Sequence, residues 1–159
     1  MISADFPNVR RVRFSTVAGN VPESPMQTIV KIINDPSYNG FPKISMQVSI
    51  HSTDENLRAA HVYEQKLNLE EVLSGKIKFA IADARKKLLP LDKVATQFKQ
   101  IIEAQKLKGL KRIRKPALAF VCTKDTKIDN EALANYGFNK ENTVIQLRPI
   151  FSENLADCM

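Results

Sequence analysis

The clearest period-two pattern in the chain runs from Lys43 to His51. Ile44, Met46, Val48 and Ile50 alternate with Lys43, Ser45, Gln47, Ser49 and His51, as in a half-buried strand. The stretch 8–17 repeats the pattern, with Val12 and Phe14 set against Arg11 and Arg13. So does 76–82, where Ile77, Phe79 and Ile81 face inward, and 84–89 either extends that strand or begins a turn. Met26 to Ile33 is rich in β-branched residues, with Thr28, Val30 and Ile32 on one side, and is assigned as a further strand. Residues 117–123, ALAFVCT, are apolar on both faces and predict a central strand. A final strand covers 143–150, with Pro149 at its end or on an edge.

One long stretch changes period. Val94, Ala95, Phe98, Ile101, Ile102 and Gln105 recur at helical spacing and predict an amphipathic helix over 92–107. Pro90 suits the position before it, Asp92 its N-cap and Gly109 its stop, while Pro116 excludes helix for Lys115. Short helices are expected near 68–74, capped by Asn68 and closed by Gly75, and over 129–136, capped by Asp129 and closed by Gly137. Two readings of 57–69 compete. Ser52 with Glu55 forms a capping box for a helix, or 52–57 is a hairpin loop before a returning strand bearing Tyr63, Gln65, Leu67 and Leu69. The strand is preferred. Residues 18–25 and 34–42 read as loops; Asn39-Gly40 suits a tight turn, flanked by Tyr38 and Phe41. The expected architecture is therefore α+β: one domain, a mostly antiparallel sheet and possible crossovers late in the chain.

Length and composition agree with a single domain. The chain has 159 residues, enough to bury a core without staples, and 43% of them are apolar. Two cysteines, Cys122 and Cys158, form no framework and suggest a reducing compartment. The longest apolar run, 117–122, is too short to span a bilayer, and the first residues lack a signal-peptide pattern. An intracellular location, cytoplasmic or virion-associated, is the expectation.

Charge changes the picture more. Six of the ten residues 106–115 are basic: Lys106, Lys108, Lys111, Arg112, Arg114 and Lys115. The chain carries net +7, so everything else together carries only +1. Arg10, Arg11 and Arg13 make a smaller basic group, and 85–87 a third. These are candidate phosphate contacts, each releasing counterions on binding, although a solvated helix end explains the same run about as well.

Motifs for catalysis are missing. There is no phosphate-cradling glycine loop, no paired-histidine metal motif, no nucleophile elbow and no C-x-x-C; Ser74-Gly75-Lys76 is a fragment only. His51 and His61 would approach one another across the proposed hairpin, but no further ligands have matching spacing. Cys122 reads as an inert buried thiol. Asp92 and Asp129 suit caps and Asp125 a turn, leaving Asp83, with Arg148 as a conceivable partner, as the carboxylate to watch. Tyr38 and Phe41 are the aromatic candidates for a surface contact with bases.

No cofactor or metal is expected. The first function class is a non-enzymatic nucleic-acid-binding or nucleocapsid-associated protein. The second is a viral matrix-like assembly protein forming homo-oligomers on an anionic membrane surface. A small enzyme acting on an anionic substrate is third. The expected partners are thus nucleic acid or another polyanion, and further copies of the chain, with no transmembrane segment.

Overall fold

Four strands alternate with helices in the computed structural model, which describes residues 8–20, 22–63, 84–122, 126 and 128–149. In chain order the elements are β1 (Arg11–Thr16), α1 (Pro25–Asn34), β2 (Lys43–Ile50), α2 (Glu55–Tyr63), α3 (Leu91–Leu107), β3 (Ala117–Cys122), α4 (Asn130–Tyr136) and β4 (Val144–Pro149). The sheet order is β1-β2-β3-β4, and all three pairings are parallel. The fold is therefore α/β, and the expected mostly antiparallel sheet is wrong. Parallel neighbours need a crossover, and helices occupy every connection.

Two misread segments account for the error. The predicted strand over 26–33 is helix α1. Ser24 Oγ accepts from Gln27 N at 3.2 Å, and Gln27 Oε1 accepts from Ser24 N at 3.0 Å, a complete capping box with Pro25 opening the first turn. Met26, Ile29 and Ile33 recur at i, i+3 and i+7 and are buried. The β-branched composition outweighed that spacing in the sequence reading, although tertiary burial overrides propensity. The preferred strand within 57–69 is likewise overturned, because α2 occupies Glu55–Tyr63. Its cap is Asp54, whose Oδ1 accepts from Asn56 N at 2.8 Å and Leu57 N at 2.9 Å, not Ser52. With no hairpin, the proposed approach of His51 and His61 across two strands also falls. The expected helix near 68–74, the strand over 76–82 and Asp83 lie outside the described residues.

The other elements stand as read. β1, β2, β3 and β4 form, and β3 is an interior strand. α3 begins one residue earlier than expected, and Asp92 is not its N-cap. That position is Pro90, with no side-chain cap; instead Glu55 Oε1 accepts from Leu91 N at 2.6 Å. Its carboxylate supplies at long range what Asp92 was expected to supply locally. Asp129 caps α4 through Ala132 N at 2.9 Å, and Gly137 closes it.

A sequential parallel order has a consequence. Right-handed crossovers that all step the same way place their helices on the same face of the sheet. Accordingly α1, α3 and α4 contribute Ile29, Phe98 and Leu133 to one core with Met46, Val48, Leu118 and Phe120. Phe98 meets Phe138 edge-on, with ring centroids 5.7 Å apart. The strand residues of opposite parity lie on the other face. Parallel sheets are ordinarily covered on both faces, and on this second face Gln47, Ala117 and Ala119 are buried at the centre while Arg13 and Val144 stay exposed to either side.

Candidate functional site

The face turned away from that core is built from the other half of each strand's alternation. Register places Arg13 beside Ser45 and Gln47 beside Ala117, which in turn sits beside Val144. Gln146 follows one step along, beside Ala119. The two alanines keep the centre of the face low, and larger side chains rise on both sides. Ahead of β3, residues 112–115 run along one end of this face. The result is a trough of about 500 Å³ with Ser45, Gln47, Ala117 and Gln146 in its lining.

Five cations also line it: Arg11 and Arg13 from β1, and Arg112, Arg114 and Lys115 from the segment before β3. No acidic residue is among its described lining. The two basic groups, about a hundred residues apart in sequence, are therefore brought onto one concave surface. The described ion pairs, Lys31–Glu23 and Arg58–Glu55, lie elsewhere. Like charges held close without counter-charges raise the local potential and favour an anionic ligand. A second cavity of about 480 Å³ shares Arg112 and Arg114 and adds Lys43, Lys108 and Lys111.

The backbone of the basic segment is fixed from beneath. Gln105, a buried residue on the last turn of α3, accepts from Arg114 N at 2.7 Å and donates to Arg114 O at 2.9 Å. Its Nε2 also donates to Ile101 O at 3.2 Å. Both ends of one amide thus hold one residue's peptide groups, so Arg114 is placed before any ligand arrives. Leu110 packs against the core, and Gly109 at φ +71 turns the chain out of α3. On the neighbouring loop, Gly40 has φ +93, and a Cβ there would sit 3.1 Å from Leu110 Cδ2. The positive φ favours glycine there, and the tight approach to Leu110 adds to it.

Not every sequence candidate belongs to the trough. Lys108 Nζ donates to Asp35 O at 2.6 Å, placing a cation on the C-terminal carbonyls of α1. Lys115 Nζ reaches Lys140 O, so it combines a tether with its place in the trough. Lys106 lies on the last turn of α3 and Arg10 precedes β1; neither lines a described cavity. Tyr38 is buried, and its hydroxyl donates to Pro42 O at 3.1 Å, whereas Phe41 stays 45% exposed. Of the two aromatics, only Phe41 offers an open ring.

Sequence reading missed Ser45, Gln47, Gln146 and Arg148. Each was visible as the outward half of a strand pattern, but only the strand order puts them side by side. Arg148 was considered as a partner for Asp83; here its Nη2 donates to Gln47 Oε1 at 2.7 Å. Cys122 is buried and free, as expected. Among the described residues, no cluster of three or more His, Cys, Asp or Glu side chains is placed to hold a metal ion. None of the described helices is long and apolar enough to cross a membrane.

The carboxyl ends of parallel strands are the usual ligand site in α/β sheets. Here the described part of that end is occupied by a clamp. Arg58, fully buried, pairs with Glu55 at 3.0 Å and donates to Leu89 O at 2.8 Å and Val17 O at 3.0 Å. Tyr136 Oη donates to Thr53 O at 3.2 Å alongside. These contacts join segments to one another, and the concave cationic surface lies instead on the sheet face turned away from the α1, α3 and α4 core. No protein-family model, curated protein or solved structure matches this chain.

Proposed function

We propose that the protein is a non-enzymatic nucleic-acid-binding protein that holds the phosphate backbone in the basic trough. The observation that carries the reading is the convergence of Arg11 and Arg13 with Arg112, Arg114 and Lys115 around one cavity without an acidic residue in its described lining. A solubility feature would be served by scattered charge. Here the cations are gathered at a repulsive cost that an anionic ligand relieves. Arginine forks suit bidentate phosphate contacts, and a preset backbone at Arg114 lowers the ordering cost of making them.

The test is a salt titration of binding to labelled single-stranded RNA, to a DNA duplex and to anionic vesicles. It compares the wild type with a variant in which Lys111, Arg112, Arg114 and Lys115 are replaced by Gln, and with Arg11→Gln/Arg13→Gln. Removing one cation that touches a phosphate flattens the slope of log K against log salt by roughly 0.7–0.9. Both variants should bind nucleic acid more weakly and with shallower slopes. Unchanged binding in both refutes the trough as the site. Binding to vesicles alone, or a defined oligomer without affinity for nucleic acid, would move the function to assembly on an anionic surface.

A further inference from the structure

The floor of the trough raises a question that its charged rim does not answer. A ligand recognised only by phosphate needs cations, and the rim supplies them. Ser45, Gln47 and Gln146 are neutral, yet they line the same cavity. Side-chain amides carry a donor and an acceptor together, the combination that reads base edges and sugar hydroxyls. Gln47 is only 3% exposed, and Arg148 Nη2 holds its Oε1 at 2.7 Å. The orientation of that amide is therefore set before binding.

Resting on the nucleic-acid reading above, we infer that the trough takes single-stranded rather than double-stranded nucleic acid. A nucleotide's phosphate sits among Arg11, Arg13, Arg112 and Arg114, and its base or sugar lies against the half-buried Gln146 and Ser45, with Gln47 buried beside them. In a duplex the Watson–Crick edges are paired and the bases stacked, so they cannot reach a floor sunk between β1 and residues 112–115. A single strand can splay a base into it. The volume, about 500 Å³, is of the size that encloses one small ligand unit. Arg112 and Arg114 border the second cavity as well, so a strand passing from one cavity to the other keeps a phosphate at the shared arginines. Guanidinium planes also offer stacking surfaces to unpaired bases, which compensates for a trough lining without aromatic rings among its described residues.

The experiment measures fluorescence anisotropy at fixed salt with a short labelled oligouridylate, a DNA duplex carrying the same number of phosphates, and competing inorganic polyphosphate. It uses the full chain and Gln146→Ala, which changes no charge and lies on the outermost of the described strands; melting of the variant is recorded alongside. The oligouridylate should bind about tenfold more tightly than either other ligand, the size of one good base contact. Gln146→Ala should remove most of that advantage and leave polyphosphate affinity unchanged. If polyphosphate or duplex matches the oligouridylate, or if Gln146→Ala weakens all three equally, single-strand recognition is wrong while the polyanion reading stands. If none of the three binds, both readings fail together.

Discussion

Arg148 on β4 reaches across β3 to Gln47 on β2, its Nη2 donating to Gln47 Oε1 at 2.7 Å. The crossing is possible because β3 presents Ala117 and Ala119 on that side, leaving no large side chain in the way. The contact ties the two flanking strands together over the central one and orients Gln47 in the lining of the basic trough.

A double-mutant cycle over Arg148→Ala and Gln47→Ala should therefore show coupling of about 1 kcal/mol. A hydrogen bond to a charged group is worth roughly 1.5–3 kcal/mol, and the exposure of Arg148 reduces that. Chemical denaturation of the four proteins measures it. Strict additivity would mean that the arginine stabilises nothing through Gln47.

Gln105→Leu should separate placement from charge. It removes both hydrogen bonds to the Arg114 peptide groups and leaves every cation in place. Each buried backbone group left without a partner costs roughly 1–3 kcal/mol, so stability should fall by about 2–4 kcal/mol. At a temperature where the variant remains folded, nucleic-acid affinity should drop while the salt slope stays near that of the wild type. An unaltered affinity would show that the segment needs charge but not a preset backbone.

Replacing Lys111, Arg112, Arg114 and Lys115 by Gln should do the opposite, weakening binding with little effect on melting. Apart from the exposed tether of Lys115 to Lys140 O, the contacts that fix this segment are made by its backbone and by Gln105, and exposed charges contribute little to stability. A collapse in melting temperature would show that these side chains hold the fold.

Arg58→Ala should be among the most disruptive single changes in the described structure. It strands the carbonyls of Val17 and Leu89 and leaves Glu55 without its ion-pair partner beneath the first turn of α3. Removing one member of a buried pair costs roughly 3–5 kcal/mol. Thermal or denaturant unfolding tests this, and a loss below about 1 kcal/mol would contradict the clamp.

Alkaline stability should follow the buried phenols. Burial raises the Tyr38 pKa above the ordinary 10.0. It also raises that of Tyr136, with Glu55 and Asp54 adding to the effect. Above a pH of about 10 the unfolded chain loses these protons while the folded chain keeps them, so stability falls as pH rises through that window. Ultraviolet titration should show Tyr38 and Tyr136 ionising late, and Tyr38→Phe should flatten the decline. Ordinary phenol titration throughout would remove this explanation.

How much was legible before the fold was known differs from element to element. The 92–107 helix was readable because its apolar spacing is long and its ends carry Pro90 and Gly109. The 129–136 helix carried both of its stops, Asp129 and Gly137. The strand at 43–50 was equally plain, since alternation over eight residues has no helical alternative. α1 was misread although Ser24 and Gln27 marked its start, because ten residues rich in Ile, Val and Thr satisfy a strand pattern almost as well.

The basic residues themselves were determined by the sequence, as was their concentration in 106–115. Their arrangement was not. Arg11 and Arg13 meet Arg112 and Arg114 only because β1, β2 and β3 lie side by side and in parallel, an order that local periodicity does not encode. The same order puts α1, α3 and α4 on one face and brings Gln47, Gln146 and Arg148 together on the other. Period-two alternation specifies which residues share a face within a strand. Long-range pairing alone decides which strands are neighbours, and the trough is made by neighbours.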